Sequence, residues 1–261
     1  MSSIITLTTD IGWAYAAQMK ASILSINPDA KIVDVTHDIS PRNVMEGAYV
    51  LYSTVIHFPN AIHIAVVDPG VGTERKSLIV ECDKGCLIGP DNGILIPAGR
   101  RLDIKTVYEI TEKRYMSSEV STTFHGRDIF SPIAAHISLG VSPHEMGKAF
   151  ADYRSLDFGD ASTDNVITGK IIFVDKFGNI ITNIPKEIVG LKNGDSVKAG
   201  IASKEFEIKF VKSYGYAEKN DILLTISSSN FLEISCRDGN ACKILGANIG
   251  EKIEIARVAD F

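Results

Sequence analysis

Two charged residues flank a glycine-rich turn in the segment IHIAVVDPGVGTER, which runs from Ile62 to Arg75. Its first half is a short apolar run rich in β-branched residues, which predicts a buried strand that ends beside Asp68. In an open α/β sheet, functional groups collect where loops leave the carboxyl ends of the strands. The Asp68 carboxylate and the Arg75 guanidinium therefore predict a polar pocket. An Asp-Pro turn followed by a solvated arginine explains the same residues, and both interpretations stay open at this point.

Asp10 and His125 occupy similar places in the sequence. Asp10 follows an apolar run, Ile4–Thr9, and precedes a predicted helix over Tyr15–Ile26. Its carboxylate is placed to accept two hydrogen bonds, such as those of a ribose diol, or to cap the helix. His125 stands before a predicted helix over Ile129–Leu139, whose dipole favours a neutral imidazole that can accept a hydrogen bond. A loop histidine bonded only to backbone is the alternative.

Several classes of site and location are disfavoured. The six histidines show no metal-ligand spacing, and a G-x-G-x-x-G fingerprint is absent, so we expect neither a metal nor a nicotinamide cofactor. A net charge of −5 without a basic stripe argues against a nucleic-acid partner. No stretch has the length of a transmembrane helix, and the N-terminus predicts a first strand rather than a signal peptide. We therefore expect a cytoplasmic protein without a membrane partner.

The order of elements predicts two domains in the 261 residues. Strand and helix patterns alternate up to Tyr153, and the polar stretch RSLDFGDASTDN follows. Beyond it, short strands with turn signals predict a barrel or sandwich. The expected fold is α/β, with an N-terminal Rossmann-like α/β domain over 1–155 and a smaller C-terminal all-β, barrel-like domain over 165–261.

Cys82 and Cys86 flank the turn of a predicted hairpin formed by Ser77–Cys82 and Cys86–Ile88. Neither their spacing nor that of the other two cysteines is the C-x-x-C of a zinc or redox site. Buried thiols are the default for a cytosolic chain, and a disulfide across the hairpin is the alternative.

Seven segments together resemble one family in their order and spacing, over nearly the whole chain. They are TDIG at 9–12, HDISP at 37–41, VDPGVGTER at 67–75, GPDNG at 89–93, TFHGRD at 123–128, DKFGNIITN at 175–183 and SSSNFLEIS at 227–235. The family is that of the S-adenosyl-L-methionine hydroxide adenosyltransferases (S-adenosylmethionine hydrolases), relatives of the fluorinase and chlorinase.

The resemblance implies an activity, an assembly and a catalytic set. Members convert S-adenosylmethionine and water to adenosine and L-methionine without a metal or cofactor. They form homotrimers, with substrate held between the N-terminal domain of one subunit and the C-terminal domain of the next. The catalytic positions fall on Asp68, Arg75 and His125, with the aspartate replaced by tyrosine in the halogenases. Because this sequence keeps all three residues, the resemblance indicates water as the nucleophile. Asp68 would orient the water, Arg75 would stabilise its hydroxide character, and His125 would accept or relay the proton.

The resemblance also implies where substrate binds. Asp10 corresponds to the carboxylate that holds the ribose diol. The other positions, for the methionine amine and carboxylate and for adenosine, are Asp175, Phe177, Asn179, Ser228, Glu233 and the Cys236 backbone. One departure is the stretch from Trp13 to Ala16, where the family often has an Asp before a Tyr-Val pair; a contact to the methionine end is expected to differ here.

The predicted function is therefore hydrolysis of S-adenosylmethionine. A halogenase-type adenosyltransferase is one alternative, but it needs a dehydrated halide pocket. A non-catalytic S-adenosylmethionine- or adenosine-binding protein is the other, and it would need Asp10 and Asn179 without the Asp68–Arg75–His125 set.

Overall fold

The computed structural model describes residues 4–164, 166–201 and 204–257, and they form two compact units. The first unit extends to Asp157 and the second begins at Phe158. The predicted domain limits at residues 1, 165 and 261 lie outside the described residues.

The first unit is built on a seven-stranded sheet in the order β2-β1-β3-β5-β4-β6-β7. Its strands are β1 (Ile4–Thr9), β2 (Lys31–Thr36), β3 (Ile62–Val66), β4 (Ser77–Cys82), β5 (Gly85–Pro90), β6 (Ile104–Ile110) and β7 (Gly147–Ala149). Strands β2, β1, β3 and β5 are parallel, whereas β4, β6 and β7 join in antiparallel fashion. The loops after four adjacent strands therefore leave from one edge of the sheet.

Helices cover both faces of this sheet. They are α1 (Gly12–Ile26), α2 (Val44–Thr54), α3 (Ile96–Arg101) and α4 (Ser131–Ser138). Ile5 and Leu7, which alternate with threonines along β1, pack with Met19 and Ile133 in the core beneath α1 and α4. Helices α2 and α3 lie against the opposite face, where β1 presents its buried threonines.

Several helix limits differ from the sequence prediction. Helix α1 begins three residues before the predicted start at Tyr15. The helix predicted to begin at Ile129 is preceded by a π-helical turn, Gly126–Phe130, before α4. Helix α3 has no strong sequence signal because its six residues contain a proline and a glycine.

The hairpin of β4 and β5 keeps its cysteines as thiols. Both Cys82 and Cys86 are free and buried. The register pairs Cys86 with Glu81, so the side chain of Cys82 points to the opposite face of the sheet. Burial raises the pKa of both thiols, to about 12 for Cys82. The default prediction of buried thiols is confirmed.

The second unit is a closed barrel in the order β10-β11-β12-β13-β9-β8-β14. Its strands are β8 (Ile167–Val174), β9 (Ile180–Pro185), β10 (Ser196–Ile201), β11 (Lys204–Phe210), β12 (Ile222–Ile226), β13 (Phe231–Cys236) and β14 (Lys252–Arg257). Two short helices, α5 (Lys186–Val189) and α6 (Ala241–Leu245), were not predicted. The α/β class and the C-terminal barrel are confirmed, and the Rossmann-like description stays a prediction.

Within the described ranges, every helix is too short or too polar to span a bilayer.

Candidate functional site

Asp68 and Arg75 form a buried ion pair at the carboxyl edge of the parallel strands. Both side chains are only 5% exposed. Arg75 Nε lies 3.0 Å from each carboxylate oxygen of Asp68, and Nη2 also donates to Oδ2. A guanidinium matched to both oxygens of a carboxylate fixes the orientation of each group. The solvated-arginine interpretation of this turn is therefore wrong.

A close approach of two loops brings His125 to this ion pair. Gly72 has a φ of 75°, and a Cβ there would lie 2.2 Å from the carbonyl oxygen of Thr122. Only glycine fits both the positive φ and this contact. The loop that carries Arg75 can therefore lie against the loop that carries His125.

His125 accepts a hydrogen bond from Arg75. The distance between Arg75 Nη2 and His125 Nδ1 is 2.8 Å. Because a guanidinium has only donors, Nδ1 must supply the lone pair, and the neutral ring then carries its hydrogen on Nε2. Burial lowers the pKa of His125, and the charge of Arg75 lowers it further. A neutral imidazole was expected here, and its Nε2–H is the group left to face a ligand.

Every N–H of Arg75 has a partner within the protein. Besides Asp68 and His125, the guanidinium donates through Nη1 to the carbonyl oxygen of Lys76 at 3.1 Å and to Ser77 Oγ at 2.9 Å. These bonds account for all five donors. Arg75 can therefore act on a bound hydroxide through its charge and by fixing its neighbours, but not by donating a free N–H.

Asp10 lies one strand away from Asp68. The register pairs Thr9 of β1 with Val66 of β3, which puts the loops carrying the two aspartates side by side. Asp10 Oδ2 accepts from the backbone N–H of Arg42 at 2.8 Å. The N-cap of α1 is Ile11, without a side-chain hydrogen bond, so the helix-cap interpretation of Asp10 is wrong. The carboxylate keeps lone pairs for a diol.

His37 supports the loop of Asp10, a role that sequence reasoning missed. Its buried ring bonds Thr9 Oγ1 through Nδ1 and Asp34 Oδ1 through Nε2, each at 2.9 Å. Its carbonyl oxygen accepts from the N–H of Gly12 at 3.0 Å. His37 thus holds residues on both sides of Asp10. The family motif HDISP includes His37, but the sequence could not show its role because its hydrogen-bond partners, Thr9 and Asp34, lie on β1 and β2.

Four of the predicted binding residues line one cleft of about 660 Å³ in the second unit: Asp175, Phe177, Asn179 and Cys236. Asp175 Oδ1 accepts from the N–H groups of Phe177 and Asn179, at 2.8 and 2.9 Å. Its Oδ2 accepts from Asn179 Nδ2 at 2.8 Å. Asp175 therefore shapes the turn between β8 and β9, which leaves the ring of Phe177 77% exposed beside the cleft.

Tyr214 lines the same cleft and was missed in the sequence. Its hydroxyl donates to Glu233 Oε1 at 2.6 Å, and Ser235 Oγ donates to the same oxygen. Burial and the carboxylate of Glu233 raise the pKa of Tyr214. Glu233 is buried behind the cleft and orients a cleft residue instead of lining it. The sequence feature that could have identified Tyr214 is an aromatic residue within the polar loop SYGYAEKND.

Ser228 is set apart from this cleft. It is exposed in the turn before β13, whereas Cys236 is the last residue of that strand. A six-residue strand spans roughly 20 Å. Within the second unit, about the length of β13 therefore separates Ser228 from Cys236 and the cleft that Cys236 lines.

A metal-binding cluster is not found in the described part of the chain, where no three His, Cys, Asp or Glu side chains are grouped to hold an ion.

Comparisons with known proteins cover both units. Residues 5–147 match the model of the SAM hydroxide adenosyltransferase N-terminal domain, and residues 169–254 match that of the C-terminal domain. A (R)-S-adenosyl-L-methionine hydrolase of Methanocaldococcus jannaschii is 40% identical, over 97% of this chain and 95% of that protein. A fluorinase of Actinoplanes sp. is 25% identical, over 89% and 90%.

A solved structure shares the fold closely. The crystal structure of an uncharacterized conserved protein from Thermotoga maritima aligns with a TM-score of 0.93 and 34% identity, over 97% of this chain and 100% of that chain. With both domain models matched in order and full-length relatives at this identity, the chain belongs to the SAM hydroxide adenosyltransferase family.

Proposed function

We propose that this protein hydrolyses S-adenosyl-L-methionine to adenosine and L-methionine. The observation that carries the proposal is the buried Asp68–Arg75 ion pair at the sheet edge, with His125 hydrogen-bonded to it, in a chain of this family. The named hydrolase of M. jannaschii, at 40% identity over nearly the full length, supports the same reaction.

The reaction requires one displacement at C5′ of the ribose. A water oxygen forms a bond to C5′ while the C5′–S bond breaks. The electron pair of the C5′–S bond stays on sulfur. Methionine therefore leaves as a neutral thioether, and the sulfonium itself activates C5′. The protein must orient the water in line with the C5′–S bond and take up its proton.

Asp68 is the proton acceptor that fits this geometry best. Its oxygens accept from Arg75 but keep further lone pairs for a water. Bulk water has a pKa of ~15.7, so a carboxylate alone would hold little hydroxide, and the buried charge of Arg75 favours the developing anion. The proton passes from the water to Asp68 and then to solvent.

His125 orients the nucleophile in this proposal. With Nδ1 bonded to Arg75, its Nε2–H can donate to the water oxygen. The ring can accept a proton only after it releases Arg75. The role of proton relay is therefore compatible with the site only if that bond opens during the reaction.

The remaining proposals concern the substrate-binding residues, the absence of a metal or cofactor, and the cellular location. Asp10 holds the ribose diol, and the cleft with Asp175, Phe177 and Asn179 receives the adenosine or methionine end. The assignment of Ser228, Glu233 and Cys236 to substrate also stays a proposal. We propose a metal- and cofactor-free cytoplasmic enzyme.

Product analysis tests the reaction. Incubation with S-adenosylmethionine in ¹⁸O-labelled water is expected to give adenosine and methionine in equal amounts, with the label in the 5′-hydroxyl and no loss of rate with chelator. Mass spectrometry of the products measures each point. Formation of 5′-halo-adenosine in preference to adenosine at moderate chloride would establish the halogenase alternative. Binding without any product would establish the non-catalytic one.

We further propose that the protein is a homotrimer with each site shared between subunits. The proposal follows from the family and from the candidate residues, which fall in both units of the chain. A ring of three identical subunits uses one heterologous contact that closes on itself.

Complementation tests the shared site. Subunits with Asp68→Ala and subunits with Asn179→Ala are each expected to be nearly inactive, because each lesion lies in a different half of the site. After subunit exchange, some mixed trimers contain an intact site, and activity is expected to return. Native mass spectrometry monitors exchange. Activity that does not exceed the summed residual activities after complete exchange would show that each site lies within one chain.

A further inference from the structure

An aromatic cleft in the first unit has no role in the chemistry described so far. It encloses about 440 Å³, and its walls include Ile11, Tyr15 and Phe124. Ile11 follows Asp10 in the sequence, and Phe124 precedes His125. Two residues of the cleft wall are therefore chain neighbours of the proposed ribose acceptor and of the group proposed to orient water.

The two aromatic rings of the cleft are arranged edge to face. The ring centroids of Tyr15 and Phe124 are 5.6 Å apart, with an interplanar angle of 89°. Tyr15 lies in the first turn of α1 and is 56% exposed. A large aromatic side chain so exposed beside a polar site presents a π face that a ligand can cover.

The charges around the cleft select the kind of ligand. None of the described residues that line it carries a carboxylate. The charged residue in its wall is Arg127, which donates from Nε and Nη2 to the two oxygens of Asp128 at 2.6 and 3.0 Å. The Arg127 guanidinium also lies 5.1 Å from the ring centroid of Phe124. Its charge is thus matched by Asp128, and a ring of this cleft already packs against a cation.

The proposed substrate carries a cation that an aromatic surface of this kind can bind. A sulfonium has three carbon substituents and no hydrogen-bond donor, so it is recognised by electron-rich faces or by charge. Its sulfur is one bond from C5′. If Asp10 holds the ribose and the water lies at Asp68 and His125, in-line displacement requires the sulfur on the side of C5′ away from that water.

We propose that Tyr15 and Phe124 bind the sulfonium and the adjoining methylenes of S-adenosylmethionine by cation–π and apolar contact. This inference rests on the proposed function and adds two binding residues to it. The attraction disappears when sulfur becomes a neutral thioether, so the surface contributes to substrate binding and favours release of methionine. Changes at Tyr15 should then act on KM more than on kcat.

The test compares S-adenosylmethionine with S-adenosylhomocysteine, which has a neutral thioether in place of the sulfonium. Titration calorimetry in the Asp68→Asn background avoids turnover. We expect S-adenosylmethionine to bind more tightly, Tyr15→Leu to weaken its binding about tenfold, and S-adenosylhomocysteine binding to change much less. Tyr15→Phe should keep the preference. Trp13→Leu is the matched control, since Trp13 is equally exposed on the same turn but does not line the cleft.

The outcomes separate this inference from the proposed function. If Tyr15→Leu leaves the ratio of the two affinities unchanged while the wild-type protein releases adenosine, the hydrolase proposal stands and the inference is overturned. If Trp13→Leu changes the ratio as much as Tyr15→Leu, the recognition is not specific to the cleft and the inference is also overturned. Absence of adenosine with the wild-type protein would contradict the proposed function itself.

Discussion

Replacing Asp68 by asparagine is expected to lower kcat by roughly 10²- to 10⁴-fold, the range typical for loss of a general base. The amide cannot take the proton of the water, although it keeps the size of the carboxylate. His125→Gln is expected to lower kcat by at least tenfold, because the glutamine amide reproduces the Nε2 donor poorly. Adenosine affinity should stay within about tenfold for both variants, since neither group is assigned to substrate.

The controls for this prediction use the same loop and the neighbouring strand. Glu74→Gln removes an exposed carboxylate next to Arg75 and should leave kcat unchanged. Asp10→Ala should instead weaken adenosine binding, because the diol loses its acceptor. Stopped-flow product analysis and adenosine calorimetry measure the two quantities. Loss of adenosine binding in His125→Gln, with kcat at saturating substrate unchanged, would assign that residue to binding.

The three proposed catalytic residues should behave as one unit. Because Arg75 bonds both Asp68 and His125, the double variant Asp68→Asn/His125→Gln is expected to lose little more rate than Asp68→Asn alone. Arg75→Ala is a poorer probe, since it leaves the buried carboxylate of Asp68 without a partner and destabilises the fold by about 3–5 kcal/mol. Additive losses in the double variant would show that the groups act separately.

The strands of both units follow from local sequence because their patterns are short range. The apolar, β-branched run Ile4–Thr9 forms β1 at the residues expected from its pattern, and the short strands with turn signals beyond residue 165 form the barrel. The helix limits were less well predicted. In the π-turn before α4, for instance, the carbonyl oxygen of Gly126 accepts from both the backbone N–H and the hydroxyl of Ser131, five residues on, and no sequence pattern had indicated this spacing.

The sequence indicated which residues group at the candidate site, but not how they are hydrogen-bonded. Strand ends and the family motifs pointed to Asp68, Arg75 and His125, and the contact between the loops of Gly72 and Thr122 brings His125 to the other two. The full use of every Arg75 donor could not be read from sequence, because two partners are a backbone carbonyl and a serine hydroxyl.

Binding residues were harder to assign than catalytic ones. Glu233 and Tyr214 are 19 positions apart, and only the barrel shows that the first orients the second. The sequence of a strand does not show which side chain will hydrogen-bond to a buried carboxylate within it.

A different buried group is expected to control acid stability. His63 of β3 is fully buried, and burial lowers its pKa from 6.5 to about 4. Its Nδ1 bonds Thr6 Oγ1 at 2.8 Å, but its Nε2 has no hydrogen-bond partner among the residues that the structure describes. A charged ring would therefore leave a buried N–H⁺ without an acceptor, so the folded state keeps the ring neutral.

The sign of the pH dependence follows from the two pKa values. Below pH 6.5 the unfolded chain binds a proton at His63 that the folded chain does not bind. The free energy of unfolding therefore decreases as the pH is lowered. The loss grows until pH reaches about 4, where it amounts to about 3 kcal/mol for a shift of this size. Above pH 6.5 both states carry the neutral ring, and His63 makes no pH-dependent contribution.

Urea unfolding at pH 7, 5.5 and 4 measures this loss. Trp13, the only tryptophan in the sequence, reports unfolding of the first unit by its fluorescence. His63→Gln is expected to be less stable than wild type at pH 7 but to lose about 3 kcal/mol less between pH 7 and pH 4. The exposed His144→Gln is the matched control and should follow wild type at every pH. Equal acid losses in wild type and His63→Gln would mean that His63 is protonated as readily in the folded chain as in the unfolded one.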